Sequence, residues 1–296
     1  IVKDRGNHMV TILDVVIGGF LMGGIYALIA VGLSLQYGVA RVLNVSHGEF
    51  IMLGAFLTWT LFTMLGVNPL VSLAICGPIT FTIGFVLYKT IYRSIRISSG
   101  SPEIFEGNSM LASFGFIFIL QNLAILIWGA GSNGYSYLAV PVNLAGAEFA
   151  ANRLVMLAFA VIICFIFYLF LARTRMGKAI RAAALDPVAA GIMGVEVNRV
   201  LALCFGLGAL MAGLAGSLLS MSYMIQPTMG FEYTIIAIIV VVIGGLGSIQ
   251  GSFIGGFLLG IIGTVVTYIE PGLSLVAYYL LFMLILLVKP SGILGR

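Results

Sequence analysis

Two histidines, ten carboxylates and three cysteines are all that 296 residues offer to acid–base, nucleophilic or metal chemistry. They are not spaced for it. His8 lies in a polar N-terminal stretch, so a zinc site or a Ser-His-Asp hydrolase would have to be built around His47 alone. Cys76, Cys164 and Cys204 sit far apart, each inside an apolar stretch, which suggests neither a disulfide framework nor a metal-ligand spacing. No G-x-x-x-x-G-K-[ST] occurs, so the chain has no P-loop for ATP. At Gly244-Gly245-Leu246-Gly247-Ser248-Ile249-Gln250-Gly251 the pattern G-x-G-x-x-G fails as well, because Gln250 stands where the third glycine is required. What remains is the polar group Asn44-Val45-Ser46-His47-Gly48-Glu49 at the edge of an apolar run. One reading is a helix start, with Asn44 or Ser46 capping and Glu49 in the capping-box position relative to Ser46. The other is an intramembrane gate or proton relay built from Asn44, Ser46, His47 and Glu49.

The elements that would position these groups follow from composition. Hydrophobic residues make up 61% and charged residues 8%, a third of the roughly 25% charge of a soluble domain. The expectation is an all-α, polytopic transmembrane helix bundle. Windows long enough to span a bilayer core fall at about 11–37, 48–66, 70–92, 109–129, 154–172, 200–222 and 273–288. A Gly-interrupted stretch, 233–268, has room for two further passes meeting at Gly244, Gly245, Gly247 and Gly251, or for a re-entrant hairpin. That makes eight or nine crossings in a single domain over 9–296. Residues 1–8 read as an added or disordered tail ahead of Met9, and the run from Val10 as a retained helix, not a cleaved signal.

Lys and Arg set the orientation. With two passes in 233–268, eleven of the fourteen fall on one side: Arg41, Lys89, Arg93, Arg96, Arg173, Arg175, Lys178, Arg181, Arg199, Lys289 and Arg296. That side is expected to be cytoplasmic, with the N-terminus outside and the C-terminus inside. The net charge of +4 therefore follows membrane topology and does not call for nucleic acid. Small residues recur every fourth position in Gly19, Gly23, Ala27; Gly208, Ala212, Gly216; Ala209, Gly213, Ser217; and Ser252, Gly256, Gly260, Thr264, faces that let helices approach closely. The longest cytoplasmic loop, 173–199, reads as a basic helical piece followed by a two-turn helix with Asp186 as N-cap, Pro187 at the first helical position and Gly194 at C′. A bounded helix on a water-exposed loop suits either a surface helix at the headgroups or a docking element for a cytoplasmic partner.

Four stretches together resemble the permease subunits of branched-chain (hydrophobic) amino-acid ABC importers, over essentially all of residues 10–296. They are Gly24-Ile25-Tyr26-Ala27-Leu28-Ile29-Ala30-Val31-Gly32 with Tyr37-Gly38; Asn44 to Glu49 with Gly54-Ala55; Arg175-Met176-Gly177 through Gly194-Val195; and 244–251 with the closing Lys289-Pro290-Ser291-Gly292-Ile293-Leu294-Gly295-Arg296. The resemblance implies an inner-membrane importer. A periplasmic binding protein would deliver solute, two permease chains, usually different, would form the pathway within membrane lipid, and two separate ATPases would bind ATP and Mg. This chain would then be no enzyme and would hold no cofactor.

The loop becomes the coupling segment, through Arg173, Gly177, Arg181, Ala182, Asp186, Pro187, Ala190, Gly191, Gly194 and Val195; Arg181-Ala182-Ala183 stands where many other ABC importers carry Glu-Ala-Ala. Tyr26 joins Asn44, Ser46, His47 and Glu49 as candidate pathway or gate residues, and Gly244, Gly245, Gly247 and Gly251 form a candidate hinge. The same pattern is similar to permeases for urea, short amides and aromatic acids. A self-sufficient secondary transporter or channel is the reading of another class, and it would want mid-membrane ionisable groups where the spans offer little besides Asp14 and Glu49.

Overall fold

The computed structural model describes the backbone of residues 2–144 and 147–295 and the side chains of 13–143 and 148–295. Ile1 and the side chains of the expected tail, 1–8, lie outside the described residues. Twelve α-helices follow in chain order: α1 Val2–Ala40, α2 His47–Leu65, α3 Pro69–Leu87, α4 Arg93–Ser98, α5 Pro102–Trp128, α6 Ala151–Arg173, α7 Arg175–Leu185, α8 Pro187–Ile192, α9 Val197–Leu219, α10 Met229–Gly244, α11 Ile249–Ile269 and α12 Ser274–Val288. A π-helical turn, Tyr88–Tyr92, joins α3 to α4 without a break. Among the described residues, eight helical segments are long and apolar enough to cross a membrane; α10, at 16 residues, is shorter. At 1.5 Å per residue α10 is about 24 Å long against a core of about 30 Å.

The glycine faces meet one another. A β carbon on Gly19 or Gly23 would run into the α11 backbone at Ile261 or Phe257, and one on Gly256 or Gly260 into the α1 backbone at Ala27 or Gly23. Two of the small-residue faces thus form one antiparallel seam between α1 and α11, because only residues without bulk let two backbones approach so closely. The α9 faces pack likewise: Gly208 against Gly32 and Gln36 of α1, Gly213 against Thr80 of α3 and Gly54 of α2, and Gly216 against Ile51 of α2. The core therefore sits where α1, α2 and α9 meet, while α5 and α12 present mostly exposed apolar surface.

One end of the bundle collects the basic residues. Gly38 at the end of α1 lies against Gly247, and the chain after α12 bonds back to the end of α10 through Ile293 N–H to Ile243 O (2.8 Å) and Leu294 N–H to Gly244 O (3.1 Å). α9 runs antiparallel to both α1 and α3, which brings Arg41 and the Lys89–Arg96 group to the same end as Arg199. Several helices run past the expected apolar windows. α5 begins at Pro102, N-capped by the Ser101 hydroxyl, because Glu103 and Glu106 continue the helix outside the apolar stretch. The connection after α5 holds an antiparallel hairpin, β1 Pro141–Leu144 with β2 Ala147–Ala150, which the sequence reading did not foresee.

A buried polar site in the membrane and a capped loop outside it

The chain leaves α1 at Ala40, turns at Arg41 with φ 54°, and folds back into the protein. α2 therefore opens beside residues five to twelve positions before the turn, Gln36 to Ile29. Asn44, Ser46, His47 and Gln36 are all fully buried there and bonded together. Gln36 Nε2 donates to the Phe205 carbonyl (3.0 Å), and Asn44 Nδ2 donates to Gln36 Oε1 (3.2 Å). Asn44 Oδ1 accepts from the Ser46 hydroxyl (2.6 Å) and the Ser46 N–H (3.2 Å). The His47 ring bridges Gln36 Oε1 (Nδ1, 3.2 Å) and the Ile29 carbonyl (Nε2, 3.1 Å). A neutral imidazole supplies one N–H, so it satisfies one of these two acceptors; a second proton would satisfy the other without moving an atom.

The capping-box expectation is corrected. Ser46 does occupy the N-cap position of α2, but its side chain makes no cap bond. Its hydroxyl is taken by Asn44, and the free Gly48 N–H is met instead by Thr234 Oγ1 of α10 (2.8 Å). Glu49 does not reach back to Ser46 either, since Oε1 accepts from Gln121 Nε2 of α5 (3.1 Å). Glu49 Oε2 is buried with no partner among the described residues. A local motif has lost to Asn44 and to the distant partners Thr234 and Gln121, which a low-dielectric interior makes valuable.

Asn44, Ser46 and His47 are thus brought together and Glu49 lies one turn on, facing α5 and Gly230 at the start of α10. Tyr26 points elsewhere, its hydroxyl 3.4 Å from that of Tyr278 with the rings edge-on. Sequence reasoning missed Gln36, Gln121, Ser113 and Thr234. The available signal was an amide placed inside an apolar run, Gln36 in α1 and Gln121 in α5, since a buried carboxamide demands partners. Gln36→Leu is expected to lower stability by on the order of 3 kcal/mol, because it takes the shared acceptor from both the buried Asn44 amide and the buried His47 ring. Thermal melting in detergent reads it; an unchanged melting temperature would mean that the network does not hold α1 to α2.

The loop after α6 is built as its residues dictate. Thr174 Oγ1 caps α7 by accepting from Gly177 N–H (3.0 Å), and Gly177 lies directly on the Leu171 backbone. Asp186 Oδ1 accepts from Val188 N–H (2.8 Å) and Ala189 N–H (3.0 Å), Pro187 opens α8, and Gly194 takes φ 85°. Val195 N–H then bonds Ala190 O and Gly194 N–H bonds Gly191 O, both at 3.0 Å, a Schellman closure that requires a left-handed residue at Gly194. Ile180, Ala183 and Ala190 face inward, whereas Arg173, Arg181, Asp186, Pro187 and Gly191 are exposed and Ala182 and Val195 half-buried. Leu185, Val188, Ile192 and Met193 are exposed.

The corner between α10 and α11 is compact. Gly245 (φ 101°) and Gly247 (φ 80°) take left-handed turns, Gly244 and Gly251 touch backbone to backbone, and Ser248 caps α11 through Gly251 N–H (3.1 Å).

Comparison with known proteins agrees with this architecture. The family described as "Branched-chain amino acid transport system / permease component" matches residues 15–288. The chain is 34% identical to the high-affinity branched-chain amino acid transport system permease protein BraD of Pseudomonas aeruginosa, over 96% of each chain. It is 33% identical to the corresponding LivH protein of Escherichia coli K12, again over 96% of each. Among solved structures, PsaBC from Streptococcus pneumoniae in complex with a Fab has a TM-score of 0.51 at 12% identity, covering 93% of this chain and 91% of that one, a likeness of fold alone. With a family match across nearly all the spans and relatives a third identical along their whole lengths, this chain belongs to the branched-chain amino acid transport system permease family.

Proposed function

We propose that this chain is one of two permease chains in an ATP-driven importer of branched-chain or other hydrophobic amino acids in a bacterial inner membrane. A periplasmic binding protein loads it, and two separate ATPase subunits, which hold ATP and Mg, drive it. The observation that carries this reading is α8: a capped two-turn helix with Val188, Ile192 and Met193 exposed beside Leu185 at the end of a basic α7. Apolar side chains held rigidly in water are what a partner protein covers. In this reading α7 and α8 receive the ATPase. Tyr26, Asn44, Ser46, His47 and Glu49 belong to a gate that is closed in this conformation, and Gly244, Gly245, Gly247 and Gly251 form the corner about which α10 and α11 shift.

The test is purification of the importer from its native host followed by titration calorimetry with leucine, isoleucine, valine and urea, without binding protein. Co-purification of an ATPase and a second permease is expected, together with no micromolar binding. Zwitterions stripped of water among spans with almost no charged side chains would lose several kcal/mol, so selection falls to the binding protein. Micromolar binding of any of the four would sink the passive-pathway part of this reading, and a lone chain without ATPase the whole.

The basic end is cytoplasmic in this proposal. Single cysteines placed at the exposed positions 100, 178 and 289, in a variant lacking Cys76, Cys164 and Cys204, are expected to resist external maleimide, while those at 66, 136 and 272 react. External labelling at 178 would invert the orientation.

A further inference from the structure

α6 and α11 both pack on α1 and leave a groove between them, floored by Phe20 and Val31 of α1. Leu157, Val161, Phe165 and Tyr168 line one wall at the three- and four-residue spacing of a single helix face, and Phe253 and Phe257 line the other. Toward the basic end this groove, about 380 Å³ in its deeper part, opens into a cavity of about 750 Å³. Tyr168, Ile249, Gln250 and Leu294 line both, so the two volumes are continuous.

The groove and its mouth differ in chemistry. From Leu157 to Tyr168 the wall rises eleven positions, about 16 Å, which matches a hydrocarbon half-thickness of about 15 Å. The mouth is polar, lined by Arg181 of α7, Gln250 and Ser248. Among the described residues neither Arg181 nor the Gln250 carboxamide has a hydrogen-bond or ion-pair partner. The first turn of α11 opens there as well. Ser248 satisfies the N–H groups of Gly251 and Ser252, whereas those of Ile249 and Gln250 have no partner among the described residues, so the positive end of the helix faces the mouth. None of α6, α7 and α11 carries an Asp or Glu that would neutralise it.

We infer that this groove holds one acyl chain of an anionic glycerophospholipid from the leaflet at the basic end, with the lipid phosphate on Arg181, Gln250 and the start of α11. Charge decides the headgroup. A guanidinium and a helix N-terminus suit a phosphate, and no carboxylate is at hand for the ammonium of a zwitterionic lipid. A basic pocket between membrane helices is the setting in which anionic lipid is selected. Depth decides that the ligand is a lipid and not a free anion, because the polar mouth runs straight into an apolar groove one leaflet deep. The bound lipid ties the loop after α6 to the corner between α10 and α11, across a gap that their own side chains leave open.

Benzoylphenylalanine in place of Phe165 tests this in the purified importer, in vesicles of equal phosphatidylglycerol and phosphatidylcholine, with the photo-adducts identified by mass spectrometry. Leu284 on the exposed side of α12 is the control position. Adducts at 284 are expected to follow the bulk composition, and those at 165 to favour phosphatidylglycerol about fivefold. Arg181→Gln is expected to erase that preference. Lys178→Gln, the same loss of charge on α7 but outside the groove, is expected to keep it. Val161→Trp fills the groove and is expected to bring the adducts at 165 to the composition seen at 284. Melting of each variant shows that it is folded, and the readout needs no transport, so it stands whichever solute the importer carries. Equal compositions at 165 and 284 in the otherwise unaltered protein would overturn the inference. So would a preference that survives Arg181→Gln, or adducts at 165 to another protein subunit, which would make the groove a protein interface.

Discussion

Gly48→Val is expected to leave no folded, monodisperse protein. A β carbon on Gly48 would land on the Gly230 carbonyl and 2.5 Å from Thr234 Oγ1. The first obstacle is helix backbone, which cannot rotate aside as a side chain tip can. The start of α2 and the start of α10 would have to part, breaking the bond from Gly48 N–H to Thr234 and opening the packing beneath Glu49. Overpacking of 1–3 kcal/mol plus a buried amide left unpaired puts the cost at roughly 3 kcal/mol or more. Gly107→Val is the matched control, since nothing lies within 4 Å of a β carbon there. Yield and size-exclusion profile in detergent read both, and recovery of Gly48→Val at the level of Gly107→Val would show that α2 and α10 do not meet as described.

Gly191→Arg should abolish coupling while sparing the fold. Gly191 is exposed on α8, and its β carbon would meet only Val197 Cγ2 at 3.9 Å, an ordinary contact. The isolated chain therefore has room for an arginine, whereas a subunit docked on Val188 and Ile192 has not. Loss of a packed interface centre is worth 2 kcal/mol or more, about thirtyfold in ATPase affinity. Uptake into proteoliposomes carrying binding protein and ATP is expected to fall at least about tenfold, with melting of the permease unchanged. Normal uptake by a complex that still assembles would place the ATPase elsewhere.

These two sites show how differently local and distant chemistry can be read. Every feature of α8 was legible in ten residues, because caps satisfy backbone groups two to five positions away: Asp186 on Val188 and Ala189, Gly194 and Val195 on Gly191 and Ala190. The start of α2 carried an equally plausible local signature in Ser46 and Glu49. There the signature failed, because Asn44, Thr234 and Gln121 compete for the same groups, and two of those three come from helices more than seventy residues away.

By itself the sequence determined the bundle, the spans outside 233–268, the shared end of the basic residues and the places where helices approach closely, all of which follow from hydropathy, charge and four-residue spacing along one chain. Which faces meet was decided only in three dimensions. Gly19, Gly23 and Ala27 look no different from the α9 stripes, yet they pair with Gly256 and Gly260 of α11, more than two hundred residues on. The same holds for Gln36, whose two amide atoms are claimed by Phe205, Asn44 and His47 once α9 and the returning chain close around it. In an apolar medium a polar group takes whatever partner the packing of large surfaces brings within 3 Å, and that packing is a property of all the helices at once.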